Sequence, residues 1–73
     1  KKQLLIDIID RLNGFNNKQC KIFIKTKSKK FYNGYIQGIY ESKVIILDDK
    51  VGFEDIYFSE IDYPSDIKES WKR

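Results

Sequence analysis

The spacing of the hydrophobic residues changes after residue 18, and this change constrains the fold more than any other feature. Before it, apolar side chains recur at the spacing of one helix face: Leu4, Leu5, Ile8, Ile9 and Leu12. Asn13 and Gly14 follow, and they predict the end of a helix over residues 2–13, because Gly adopts a left-handed C-terminal conformation without penalty. After residue 18, apolar residues alternate with others at the period of a strand, as in Cys20, Ile22 and Ile24.

The remainder of the chain predicts short strands joined by tight turns. The predicted segments are a polar loop at 26–30, strands at 31–40, 44–47 and 53–58, a helical turn at 59–61 and a last strand at 62–63. Residues 44–47 are expected to be buried on both faces, and Pro64 is expected to end strand pairing. Gly34 and Gly38, inside the longest strand, favour a bulge or sharp bend.

These elements predict one domain, 1–73, with a mostly β fold. An N-terminal helix precedes a small, strongly bent five-stranded barrel of the SH3-like type, which spans about residues 18–63. Residues 64–73 are expected to form a tail, with Trp71 as a candidate anchor. A chain of 73 residues is too short for a second hydrophobic core.

The composition excludes most chemistry. With no His and one Cys, the chain offers no zinc site, no disulfide framework and no Ser-His or Cys-His pair. The adjacent acids Glu54 and Asp55 point to opposite faces of a predicted strand, so they do not form a paired site. We therefore expect no enzyme activity, no metal and no cofactor. The free Cys20 favours a reducing, cytoplasmic location, and no apolar run approaches the roughly 20 residues that a membrane span needs.

Charge is divided unevenly along the chain, although the net charge is only +3. Residues 14–40 contain six Lys and no acid, whereas residues 41–69 contain nine acids and three Lys, so the two segments carry +6 and −6. Such an asymmetry concerns partners rather than fold. If the two segments lie on different sides of the domain, head-to-tail association of copies is electrostatically favourable.

Basic and aromatic residues are interleaved in the positive segment. The candidate nucleic-acid-binding residues are Lys21, Phe23, Lys25, Lys27, Lys29, Lys30 and Tyr35. Lysines neutralise phosphates and aromatic rings stack on bases, which is the combination that a single-strand binder needs. The alternative is that the aromatics fill a core or a subunit interface while the lysines only solvate a strand. A second apolar group near the end of the predicted barrel is the candidate oligomer interface: Phe53, Tyr57, Phe58 and Tyr63.

The order of elements resembles that of the Sm-like (Lsm) proteins. The segments that carry the resemblance are residues 32–36 (YNGYI), residues 44–49 (VIILDD) and residues 56–61 (IYFSEI), which are similar to the two Sm motifs. The chain departs from the family where uridine-binding members carry an Asp, a Met-Asn pair and an Arg-Gly pair. Those positions hold Tyr40, Lys43, Val44, Tyr57 and Phe58. The resemblance therefore implies the fold but not the family's uridine pocket.

The sequence thus predicts a non-enzymatic Sm-like protein that binds nucleic acid, single-stranded RNA rather than DNA. The resemblance also implies a homo-oligomeric ring, in which the fourth strand of one copy joins the fifth strand of the next. The alternative is a protein–protein interaction or assembly module of the same fold that binds no nucleic acid. Duplex DNA is disfavoured by the nine acids between residues 41 and 69, and a membrane partner is not expected.

Overall fold

The computed structural model describes residues 2–70. Within these residues a helix is followed by five antiparallel strands, which confirms the predicted mostly β fold class. The elements are α1 (Lys2–Lys18), β1 (Ile22–Lys25), β2 (Phe31–Ile39), β3 (Lys43–Asp48), β4 (Gly52–Tyr57) and β5 (Ile67–Glu69). The strands form one sheet in the order β4-β3-β2-β1-β5, so β4 and β5 are its two edges and do not pair with each other within these residues.

The helix is longer than predicted. It ends at Lys18 rather than residue 13, and Gly14 does not adopt the left-handed conformation that would have stopped it. The extra turn allows Phe15 to pack against the core, with the guanidinium of Arg11 5.4 Å from its ring centre. The left-handed residue is Gln19, with φ 55°, and its N–H donates to the carbonyl of Asn16 at 3.0 Å. Tertiary packing of Phe15 therefore overrides the local stop signal.

The core lies between α1 and one face of the sheet, which we call the core face. Its buried side chains are Ile8, Leu12, Ile22, Ile24, Val44, Ile46, Ile56, Phe58, Ile61 and Ile67. The opposite side of the sheet, the outer face, is not covered by α1. The prediction that residues 44–47 are buried on both faces is therefore wrong, because Ile45 and Leu47 point to the outer face and Leu47 is exposed.

The two glycines of β2 have different structural roles. The pairing register of β2 with β3 shifts between Ile36 and Gly38, which confirms the predicted bulge. At Gly34 the backbones are so close that a Cβ atom would lie 2.6 Å from the carbonyl carbon of Leu47. Gly34 therefore permits the close pairing of the two central strands, whereas a Cβ atom at Gly38 would meet the side chain of Tyr40.

The end of the chain differs from the prediction. No strand forms at residues 62–63; a 3-10 turn at Pro64–Asp66 leads into β5, which pairs antiparallel with β1. Proline suits this turn because its fixed φ fits a first helical position. Ile67 is fully buried, and its carbonyl accepts a hydrogen bond from Arg11 Nε at 2.6 Å. Residues 64–69 of the predicted tail therefore form a turn and a strand of the sheet, and Pro64 does not end strand pairing, because pairing resumes at Ile67. Trp71 lies outside the described residues.

The buried carboxylate of Asp48 connects β3 to the neighbouring turn and to β2. It accepts backbone hydrogen bonds from Asn33 at 2.7 Å, Lys50 at 2.9 Å and Val51 at 3.2 Å. Burial alone would raise the pKa of Asp48, but the backbone hydrogen bonds outweigh it and hold the pKa below its ordinary value. The carboxylate is therefore more stable in the folded state than in the unfolded state.

Replacing Asp48 with Asn is expected to lower the free energy of unfolding by about 2 kcal/mol at neutral pH, because a charged acceptor is lost. Since the folded pKa of Asp48 lies below the unfolded one, its contribution is complete above the unfolded pKa, about 3.9, and is lost as the pH falls through the folded pKa. Urea unfolding at a series of pH values checks this. The difference between the wild type and Asp48→Asn should shrink as the pH falls below about 4, and a constant difference would contradict it.

Candidate nucleic-acid interface

The outer face brings together most of the predicted nucleic-acid-binding residues. Phe23 of β1 pairs with Asn33 of β2 on one side and with Lys68 of β5 on the other, and Lys25 pairs with Phe31. Because side chains alternate along a strand, residues 21, 23 and 25 of the first strand region share this face with residues 31, 33 and 35. Pairing thus places aromatic and basic side chains side by side on a surface that α1 does not cover.

An aromatic pair forms the centre of this surface. The rings of Phe23 and Phe31 are stacked, with centroids 5.5 Å apart and an angle of 19° between planes. Phe23 is half-buried, whereas Phe31 is 58% exposed. Phe31 therefore holds a fixed orientation against Phe23 and still presents ring surface to solvent.

The polar loop between β1 and β2 presents three exposed lysines, Lys27, Lys29 and Lys30. The buried Thr26 organises the loop: its N–H donates to the carbonyl of Lys30 at 3.0 Å, and its hydroxyl accepts from the Lys30 N–H at 3.2 Å. The Lys27 N–H donates to the carbonyl of Glu60 at 2.7 Å, which fixes the loop to the rest of the fold. The lysines thus extend from an ordered backbone at the loop that leads into β2. Lys30 borders a hollow with Tyr32 and Glu60 rather than with Phe31.

Lys21 differs from the other predicted lysines because it forms an ion pair with Asp49. The hydrogen bond with Asp49 raises the pKa of Lys21 above its ordinary value, so Lys21 is charged at neutral pH, but Asp49 neutralises much of that charge. A second ion pair joins Lys43 to Asp55 at 3.0 Å. Since Lys21 and Asp49 belong to the positive and negative segments of the chain, the two segments contact each other within one molecule.

Tyr35 lies on the outer face, distant from Phe31 but diagonally next to Phe23, which pairs with Asn33. It is four residues from Phe31 along β2, a distance of roughly 13 Å in an extended strand. Its cross-strand neighbours are Leu47 and, beyond it, Phe53. These three exposed side chains form a separate apolar row over β2, β3 and β4.

The predicted oligomer interface contains one error. Phe53, Tyr57 and Tyr63 are exposed, the first of them by 68%. Phe58 is only 4% exposed and belongs to the core, because it follows Tyr57 directly and therefore points to the opposite face. The exposed aromatics Phe53 and Tyr57 both lie on β4, an edge of the sheet.

Sequence reasoning missed three residues that border the aromatic pair: Asn33, Lys68 and Ser70. The Ser70 hydroxyl donates to Asn33 Oδ1 at 2.7 Å. Asn33 could have been assigned from its spacing of two from Phe31, which places both on one face. Lys68 and Ser70 could not have been assigned, because the last strand was predicted at residues 62–63 and not at Ile67–Glu69.

No family model matches the chain, and no curated protein or solved structure matches it either. Within residues 2–70, no three His, Cys, Asp or Glu side chains lie together in a way that could hold a metal ion. No helix in the same part of the chain is long and apolar enough to cross a membrane.

Proposed function

We propose that the outer face binds single-stranded RNA without catalysis. The observation that carries this proposal is the stacked pair of Phe23 and Phe31, with Phe31 exposed and paired across the strands with Lys25. The exposed lysines of the loop precede Phe31 in the chain and add positive charge at this end of the sheet. Stacking of a base on an exposed ring contributes about 1–3 kcal/mol, and it tolerates any base because every base has a π-face. The lysines attract the phosphates and hold the strand along the face.

The charged environment supports this choice of surface. Of the two ion pairs among the described residues, neither involves Lys25 or the loop lysines. Their charges are therefore available to phosphates, whereas Lys21 and Lys43 already have carboxylate partners. Lys21 is better suited to orienting Asp49 than to contacting phosphate directly.

The proposal includes assembly of an Sm-like oligomer. The resemblance implies pairing between the fourth strand of one copy and the fifth strand of the next, and β4 and β5 are the two edges of this sheet. Exposed Phe53 and Tyr57 on β4 favour such an assembly, because unpaired edges with apolar side chains promote association. The same observation favours the second candidate function, a protein-assembly module that does not bind nucleic acid.

Titration of a fluorescent single-stranded RNA of roughly 15 nucleotides tests the proposal. The informative variants are Phe31→Ala and Tyr40→Ala, which each remove an exposed aromatic ring. Tyr40 is the control, because it belongs neither to the aromatic pair nor to the β4 edge. We expect Phe31→Ala to weaken binding about tenfold, since one stacked base is lost, and Tyr40→Ala to leave the affinity within about twofold.

Light scattering of the same samples separates the two candidate functions. A protein that forms oligomers but binds no RNA at low salt would be an assembly module, and the RNA proposal would be wrong. Equal losses for Phe31→Ala and Tyr40→Ala would also contradict it, because the stacked pair would then have no special role. If the DNA strand of the same sequence binds more tightly than the RNA strand, the surface binds nucleic acid but the assignment of RNA is wrong.

A further inference from the structure

A cleft lies beside the aromatic pair, between the end of β5 and the turn after β3. It consists of two adjoining hollows of about 440 Å³ and 350 Å³, and both are lined by Asn33 and Ser70. Phe23, Lys68 and Glu69 border the first hollow. Phe31 and Lys50 border the second, together with Lys21, Asp48 and Asp49. We call the combined space the outer cleft.

The amide of Asn33 has a fixed orientation in the outer cleft. Its backbone is held on both sides, since its N–H donates to Asp48 Oδ1 at 2.7 Å and its carbonyl accepts from the Asp49 N–H at 2.8 Å. The Ser70 hydroxyl donates to Asn33 Oδ1 at 2.7 Å, and the Ser70 N–H donates to the carbonyl of Lys21 at 2.8 Å. Thus the amide oxygen is engaged, while Nδ2 has no hydrogen-bond partner among residues 2–70.

An oriented amide donor next to stacking rings is suited to a base edge. A free Asn side chain binds adenine by donating and accepting at the same time, which requires both its Nδ2 and its Oδ1. Ser70 occupies one of the two lone pairs of Oδ1, whereas neither hydrogen of Nδ2 has an acceptor among residues 2–70. The larger free capacity is therefore that of a donor, and its complement is a carbonyl oxygen. Lys50 and Lys68 take part in neither ion pair of the described residues and can receive flanking phosphates. Of the carboxylates on the walls, Asp49 is paired with Lys21 and Asp48 accepts backbone hydrogen bonds, so Glu69 is the acid that the bound strand must avoid.

We propose that Asn33 determines the base preference of the RNA-binding face by donating a hydrogen bond from Nδ2 to the carbonyl oxygen of a base in the outer cleft. The preferred bases are uracil, guanine and hypoxanthine. Each carries a keto oxygen at the position where cytosine or adenine carries an amino group. This inference rests on the proposed function, because it assumes that RNA binds the outer face. The arrangement gains from preorganisation, since Ser70 and the backbone fix the amide before RNA binds.

Matched RNA strands that differ at the keto or amino group test this role. We expect a uridine strand to bind about fivefold more tightly than a cytidine strand of the same length and at the same salt concentration, as one hydrogen bond would give. An adenosine strand with inosine at alternate positions should likewise bind more tightly than plain oligoadenosine, although its purine rings differ from uracil in size and stacking.

Asn33→Asp keeps the shape of the side chain and the acceptor for Ser70 but replaces the donor by an acceptor. The added charge weakens all binding, so the readout is the ratio of the uridine and cytidine affinities. We expect this ratio to fall below one. Ser70→Ala provides a second variant that leaves Asn33 intact; it frees the amide to rotate, and the ratio should move towards one.

The outcomes separate the two proposals. If wild-type protein binds RNA but does not distinguish uridine from cytidine, the assignment of Asn33 is wrong while the proposed function stands. If the preference exists but survives both Asn33→Asp and Ser70→Ala, another residue determines it and the assignment is again wrong. If no RNA binds, the proposed function fails and this inference fails with it.

Discussion

Replacing Gly34 with Ala is expected to remove most of the stability of the protein. A Cβ atom at this position would lie 2.6 Å from the carbonyl carbon of Leu47 and 3.0 Å from the Cα of Asp48. Both are backbone atoms of β3, so the clash cannot be relieved by rotating a side chain. β2 and β3 would have to separate, and the pairing of Gly34 with Asp48 would be lost.

We expect Gly34→Ala to cost about 3 kcal/mol or more, at the upper end of what single substitutions do. A domain of this size has only a few kcal/mol of net stability, so much of the variant should be unfolded at room temperature. Urea or thermal unfolding followed by circular dichroism measures the effect. A variant with the unfolding midpoint of the wild type would show that β2 and β3 can separate at little cost.

Gly14→Ala is the matched control, because it makes the same chemical change where no neighbour obstructs it. Nothing lies within 4 Å of a Cβ at Gly14, and the residue is inside α1. Ala is favoured over Gly in a helix interior by about 1 kcal/mol, so this variant should be more stable than the wild type. Opposite signs for the two substitutions would distinguish steric conflict from a general effect of removing glycine.

The parts of the fold that depend on local pattern could be predicted from the sequence. Alternation placed Ile22 and Ile24 in the core, and Gly38 indicated the bulge between β2 and β3. The end of α1 and the position of β5 could not be predicted, because each is decided by a distant contact. Phe15 extends the helix by packing on the core, and Ile67 forms β5 by burial beside β1.

The candidate site, like the fold, could be predicted only where it depends on a local pattern. Period-two alternation was enough to place Phe23 and Lys25 on one face, and the structure adds the stacking of Phe31 on Phe23. The hydrogen bond between Ser70 and Asn33 spans 37 residues of sequence, and it depends on the pairing of β5 with β1. A pattern within the chain carries no information on such a contact, and the oriented amide was therefore missed.

The double substitution Lys27→Gln and Lys30→Gln is expected to weaken RNA binding about tenfold at about 0.15 M salt. Each phosphate contact on a single strand contributes about 0.7 to the slope of log affinity against log salt concentration, so losing two contacts should reduce that slope by about 1.4. The fold should be unaffected, because the loop is held by the backbone N–H groups of Lys27 and Lys30 and not by their ammonium groups.

Lys18→Gln with Lys43→Gln is the matched control, since it changes the net charge equally at the end of α1 and the start of β3. Neither lysine lies beside the aromatic pair, and Lys43 is already paired with Asp55. We expect this control to keep the salt slope of the wild type in the same titration. Equal effects of the two double variants would mean that RNA responds only to overall charge, and the lysine loop would not be its contact. A reduced slope for the loop variant alone would place phosphates at the loop between β1 and β2, so that one strand is held by the stacked ring of Phe31 and by the ordered loop that precedes it.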